Sequence, residues 1–144
     1  MDVRPASTAE VRPLRATVLR PGLPFETSLY PEDPEARHYV IEDGGQVAAV
    51  VSFVDQPMAG DARSGDVRFR GMAVAPDRQG QGLGGRLLEE ATARETTRGG
   101  RRFWCHARDS AQRFYLAHGF EVIGDGFEIE GIGPHHVMQR EAVG

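Results

Sequence analysis

The 144-residue chain contains no lysine and no asparagine, and all 17 of its basic residues are arginine. Without lysine it has no nucleoside-triphosphate P-loop, which needs that residue after its last glycine. A single cysteine, Cys105, rules out an intramolecular disulfide and agrees with a reducing compartment. No apolar run approaches the ~18 residues of a membrane span, and MDVRPASTAEVRPLR at the N-terminus has neither the apolar stretch nor the cleavage site of a signal peptide. The chain therefore reads as cytoplasmic, with no membrane partner. Positive charge is not in excess: 21 acids against 17 arginines give a net charge of -4, which argues against a nucleic-acid partner.

Hydrophobic residues make up 40 % and charged residues 26 %, as in an ordinary globular chain, and the length matches one domain of ~150 residues. Ser7 to Glu10 fits a capping box, and Val11, Leu14 and Val18 follow at helical spacing, predicting a helix over 8–19 that Pro13 should kink or delay. Pro21 to Pro34 reads as an irregular connection. Residues 38–42 and 47–54 read as strands of a hairpin around Asp43-Gly44-Gly45. After a polar loop from Asp55 to Asp66, Val67 to Val74 reads as a strand and Gly82 to Arg98 as a helix. Leu83, Leu87 and Ala91 share one face of that helix, and Glu90 faces Arg94. A strand at 103–106, a helix at 109–118 and short strands at 120–123, 127–130 and 135–139 complete an α/β domain with a central mixed sheet.

The most informative stretch runs from Gly71 to Leu88, where a strand, a Pro76-Asp77 turn and glycines at 80, 82, 84 and 85 lead into an amphipathic helix. Glycines there let successive backbone N–H groups turn toward one point, and the helix N-terminus adds roughly half a positive charge, making a phosphate cradle. Gly80, Gly82 and Gly85 also satisfy G-x-G-x-x-G. A dinucleotide site, however, should follow its strand at once and carry an acidic residue ~20 positions later, and that position here falls at Cys105. A ligand-free tight turn gives no reason for so many helix-weakening glycines.

Gln79-Gly80-Gln81-Gly82-Leu83-Gly84 resembles the Q/R-x-x-G-x-G/A signature of the GNAT superfamily of N-acetyltransferases, with the Met-Ala-Val strand end and Pro-Asp turn that precede it. Ala111-Gln-Arg-Phe-Tyr-Leu-Ala-His-Gly-Phe120 is similar to the family's A-x-x-F-Y-x-x-x-G-F segment, and residues 127–138 resemble the end of small bacterial members. The resemblance implies one domain over residues 1–144 with the GNAT-like acyl-CoA N-acyltransferase fold, a mostly antiparallel twisted sheet flanked by helices. It also implies that acetyl-CoA is a co-substrate and that a small-molecule or peptide amine is the acceptor. Homodimers are common in the family.

By the same resemblance, Met72, Ala73 and Val74 would bind the pantetheine arm as an added strand. The backbone of Gln79, Gly80, Gln81, Gly82, Leu83, Gly84 and Gly85 would hold the pyrophosphate, with Arg78 and Arg86 at its flanks. An N–H near Val74 would face the oxyanion, and Tyr115 would protonate the leaving thiolate. Glu26 and His135 are the candidates for deprotonating the amine, which starts near pKa ~10.4 for a lysine-like group or ~8 for an α-amino group. The family's asparagine falls at Arg108, leaving Arg108, Asp109 or Ser110 to cap that helix. No metal is expected, because His135 and His136 point to opposite faces of a strand. Cys105 reads as a small buried apolar residue. The alternatives are a non-catalytic CoA or acyl-CoA sensor and transfer of another acyl group.

Overall fold

In the computed structural model, which describes residues 2–143, the capping box forms as its spacing predicts. Ser7 accepts from the Glu10 N–H, and Glu10 accepts from the Ser7 N–H at 3.0 Å. The helix α1 (Thr8–Leu14) carries Pro13 inside it and neither starts late nor breaks. It passes instead into a single π-helical turn, Arg15–Leu19, a wider winding that begins two positions after the residue with no N–H to donate.

Strand β1 (Asp2–Ala6), not read from the sequence, forms the sheet edge, with Pro5 opposite Tyr39 of β2 (Arg37–Asp43). An edge position is where a strand tolerates proline. The hairpin from β2 into β3 (Gln46–Asp55) turns through Gly44 and Gly45, whose φ angles of 61° and 79° suit a tight two-residue turn. Then come β4 (Asp66–Val74), α2 (Leu83–Thr97), β5 (Arg102–Arg108) and α3 (Gln112–Ala117). The expected separate strands at 120–123 and 127–130 are one strand, β6 (Glu121–Ile129), whose register shifts between Ile123 and Phe127. It pairs with β7 (Gly133–Glu141).

The seven strands form one sheet in the order β1-β2-β3-β4-β5-β7-β6, antiparallel except for β4 against β5. One face packs Phe53, Phe69, Phe103 and Met138 against Leu87 and Leu88 of α2, and the other packs Val40, Val50 and Ala73 against Val11 of α1. The Glu90 to Arg94 pair does not form. Glu90 accepts from Arg86 at 2.7 Å, while Arg94 donates to the Val3 carbonyl at 2.8 Å, because β1 puts an acceptor there. Among the described residues, no helix is long and apolar enough to cross a membrane.

Candidate functional site

Strands β4 and β5 pair over only three positions, Asp66 with Arg102, Val67 with Phe103 and Arg68 with Trp104, and then part. The joined end is pinned by a buried ion pair in which Arg102 Nε donates to Asp66 Oδ1 at 2.8 Å. The Arg102 guanidinium and the N–H groups of Arg63 and Met58 outweigh desolvation and hold the Asp66 carboxyl down at about 2. Past this anchor β4 bulges at Gly71 and Met72, which together oppose Val51. Gly71 has φ 66°, and a Cβ there would stand 2.9 Å from Arg15 Nε and 3.2 Å from Tyr30 Cε2, so the bend accepts only glycine.

Met72 and Val74 then pack toward the α2 face and Ala73 toward the α1 face. Ala75 N–H bonds Ala48 O at 2.8 Å, so the alternation of the antiparallel ladder turns the N–H and C=O of Val74 away from β3, into the gap. The Gln79 amide donates to that carbonyl at 3.2 Å. Among the described residues, none of the seven N–H groups from Gln79 to Gly85 finds a protein acceptor. The first bond of α2 runs from Arg86 N to Gly82 O at 3.1 Å. A run of unpartnered N–H groups at a helix start fits an oxyanion such as pyrophosphate.

The four glycines have two different reasons to be there. Gly80 and Gly82 take φ 81° and 79°, and a Cβ on either would enter open space. A Cβ on Gly84 would lie 3.4 Å from Val74 and 3.6 Å from Phe114, and one on Gly85 would lie 2.7 Å from His118, so these two let α2 approach α3. Leu83 is buried beside them, whereas Gln79, Gly80, Gln81 and Gly82 are exposed. Arg78 is paired with Asp43 and Arg86 with Glu90, so neither flanking arginine is a free charge.

The gap opens into a cleft. Met72, Cys105 and Tyr115 line it from the α2 face. Tyr115 is nearly buried, with Phe69 at 5.8 Å and Phe120 at 5.7 Å between ring centroids, and among the described residues its hydroxyl has no hydrogen-bond partner. Burial raises its pKa, so the phenol keeps its proton. Burial likewise raises the Cys105 thiol, as suits a small apolar filler.

His135 reaches the cleft from β7, stacked on Phe127. Its Nδ1 lies 2.8 Å from Gly133 O, and a carbonyl only accepts, so Nδ1 carries a proton and Nε2 is the nitrogen left to act as a base. Glu26 does not join it. That residue sits on an exposed 3₁₀ turn, Phe25–Ser28, outside the cleft lining. His136, on the opposite face, pairs with Asp109 at 2.7 Å. Arg108 occupies the N-cap position of a 3₁₀ turn, Asp109–Ala111, that leads into α3, but its side chain makes no cap bond there and donates to Leu19 O at 2.7 Å instead.

The other wall went unread in the sequence. Arg68 and Arg70 alternate with buried Val67 and Phe69, and His106 and Arg108 alternate with buried Cys105 and Ala107, so all four cleft residues share the α1 face. The alternation was visible; that it meets a cleft was not. His106 Nδ1 accepts from Arg68 at 3.3 Å, and burial, Arg68 and Arg70 hold its pKa down at about 4. Arg15, wholly buried, forks onto Asp33 at 2.8 and 3.0 Å and also bonds Ser28 O and Ser52. The Tyr30 ring lies between it and Arg70, at 4.0 and 3.9 Å from the two guanidinium carbons.

A family model described as Acetyltransferase (GNAT) domain matches residues 34–122. The uncharacterized N-acetyltransferase YitI of Bacillus subtilis is 28 % identical over 142 residues, 97 % of this chain and 95 % of that protein. Among solved structures, an aminoglycoside 6'-N-acetyltransferase complexed with coenzyme A superposes with a TM-score of 0.78 at 12 % identity, over 100 % of this chain and 98 % of that one. The IAA acetyltransferase of Bacillus cereus superposes with a TM-score of 0.75 at 16 % identity, over 97 % and 98 %. At those identities the structures speak for the fold.

Proposed function

The chain belongs to the GNAT acetyltransferases, and from that premise we propose that it moves an acetyl group from acetyl-CoA directly to a primary amine. The observation that carries the reading is the run of seven unpartnered N–H groups, Gln79 to Gly85, at the head of a strand that has parted from its neighbour. Acetyl-CoA supplies an activated thioester; the chain supplies the rest.

The cradle holds the pyrophosphate without side-chain charge, and the exposed edge of Met72 to Val74 orders the pantetheine arm. The Val74 N–H, turned into the gap, donates to the carbonyl oxygen as negative charge develops there, a preorganised contact worth several kcal/mol. Tyr115 gives its proton to the departing sulfur. Its raised pKa keeps the phenol protonated until the thiolate forms, and among the described residues no protein group competes for its hydroxyl. His135 takes the amine proton at Nε2, and the pair of proton transfers leaves a neutral amide and a free thiol.

Calorimetric titration with acetyl-CoA, followed by free-thiol release across an amine panel, tests this. Saturable binding with turnover on at least one amine is expected. The absence of acetyl-CoA binding would overturn the reading.

A further inference from the structure

The cleft wall opposite Tyr115 carries four guanidinium groups, Arg20, Arg68, Arg70 and Arg108, and among the described residues no aspartate or glutamate lines the cleft. Arg70 is offset by Glu32, which accepts from it at 2.7 Å, and Arg108 is tied to a carbonyl. Among the described residues, Arg20 and Arg68 have no carboxylate partner, and the Nε–H of each is buried with no hydrogen bond. Arg68 donates only to the neutral imidazole of His106 and lies over the Trp104 ring at 5.3 Å. Burial and the neighbouring Arg70 lower the pKa of Arg68 against the opposing pull of Glu32. A cation without a counterion is costly to bury, and that cost falls when an oxyanion enters beside it.

The geometry points to an acceptor amine that carries its own oxyanion, a carboxylate or a phosphate, held by Arg68 and Arg20 while its amino group faces Tyr115 across the cleft. Guanidinium forks match such groups bidentately. Polycationic acceptors are repelled by the same wall. This rests on the acetyltransferase reading and supplies the substrate class that reading leaves open.

The test uses matched amines at equal ionic strength: amino acids against their amides, and aminoalkyl phosphates against the corresponding amino alcohols. Thiol release is measured at saturating acetyl-CoA. Thermal shift with the same compounds is measured in the presence of CoA, so that the cradle is filled. The expected result is kcat/KM at least tenfold higher for the charged member of a pair, with R68M and R20M each narrowing that ratio and abolishing the thermal shift. Whether the acids or the phosphates rank first tells which oxyanion is preferred. Turnover that is equal or faster with the neutral members or with polyamines overturns the inference and leaves the acetyltransferase reading standing. Thermal shifts by the anionic amines without thiol release from any amine overturn the acetyltransferase reading and leave the anion site standing. Neither shift nor turnover overturns both.

Discussion

Replacing Tyr115 by phenylalanine separates the chemistry of the cleft from its packing. The ring sits among Phe69, Phe114 and Phe120 with centroids 5.1 to 5.8 Å away, and phenylalanine keeps all of those contacts. Only the hydroxyl is lost, and it has no protein partner among the described residues, so folding stability should change by no more than ~0.5 kcal/mol. The 144-residue chain has an unfolding entropy of about 0.3 kcal/mol/K, so the melting temperature should move by less than ~2 °C. Tyr115→Ala, by contrast, empties a buried aromatic site at a cost of ~3–5 kcal/mol, or ~10–16 °C.

If the phenol is the proton donor to the departing sulfur, Tyr115→Phe lowers kcat by ~10²- to 10⁴-fold, the usual worth of a positioned general acid. That corresponds to about 3 to 5 kcal/mol of barrier. Acetyl-CoA affinity should stay within a factor of two, because the cradle lies on another element. The assay is colorimetric thiol release with the best amine of the panel, run beside a melting curve and a calorimetric titration. The single cysteine is buried and its thiol pKa is raised, so the protein adds little background. A variant that melts normally, binds normally and turns over within twofold of the parent would refute the assignment.

Asp33→Asn leaves the wholly buried Arg15 without its counterion and should cost ~3–5 kcal/mol, read as a ~10–16 °C lower melting temperature; a shift under 2 °C would mean the pair is not what fixes Tyr30. The Asp66 carboxyl is depressed in the fold, so the stability it contributes is present above its unfolded pKa of about 4 and is lost as pH falls toward about 2. The melting temperature of the parent should drop across that window, and the drop should be shallower in Asp66→Asn. Gly82→Ala, at φ 79°, should lose ~1–2 kcal/mol and weaken acetyl-CoA binding severalfold. Gly84→Ala, at ordinary helical φ and 3.4 Å from Val74, should keep stability within ~1 kcal/mol and keep its affinity, which calorimetry on both variants checks.

Much of the domain from 71 to 120 was legible, because its signals are local. A strand end, a glycine run, an amphipathic stripe and a short aromatic helix each sit within a dozen residues and leave a periodic trace. β1 left none: five residues with Pro5 among them and one buried side chain, Val3, become a strand only because β2 offers an edge. The arginine wall was unreadable for a similar reason. Arg15 and Asp33 lie 18 positions apart, and Arg20, Arg68 and Arg108 converge only when the π turn, β4 and β5 come together. Glu26 was drawn by loop composition alone, and loop composition does not say which way a turn faces.

The absence of lysine takes on a sharper meaning in this geometry. On the α2 face, the arginines nearest the cradle are already paired, Arg78 to Asp43 and Arg86 to Glu90, so a phosphate there meets backbone dipoles fixed by glycine conformation. On the α1 face the cleft is walled by side chains, and among the described residues the guanidinium groups of Arg20 and Arg68 have no carboxylate partner. Affinity on the first face depends on φ angles that few substitutions preserve, whereas affinity on the second depends on side chains that can be exchanged without moving a strand. If the anion site is as proposed, substituting Arg20 or Arg68 should change the acceptor range while acetyl-CoA affinity stays as it is. On the proposed reading, such a division also accounts for a sequence motif on the half of the cleft that fits pyrophosphate and none on the half assigned to the amine.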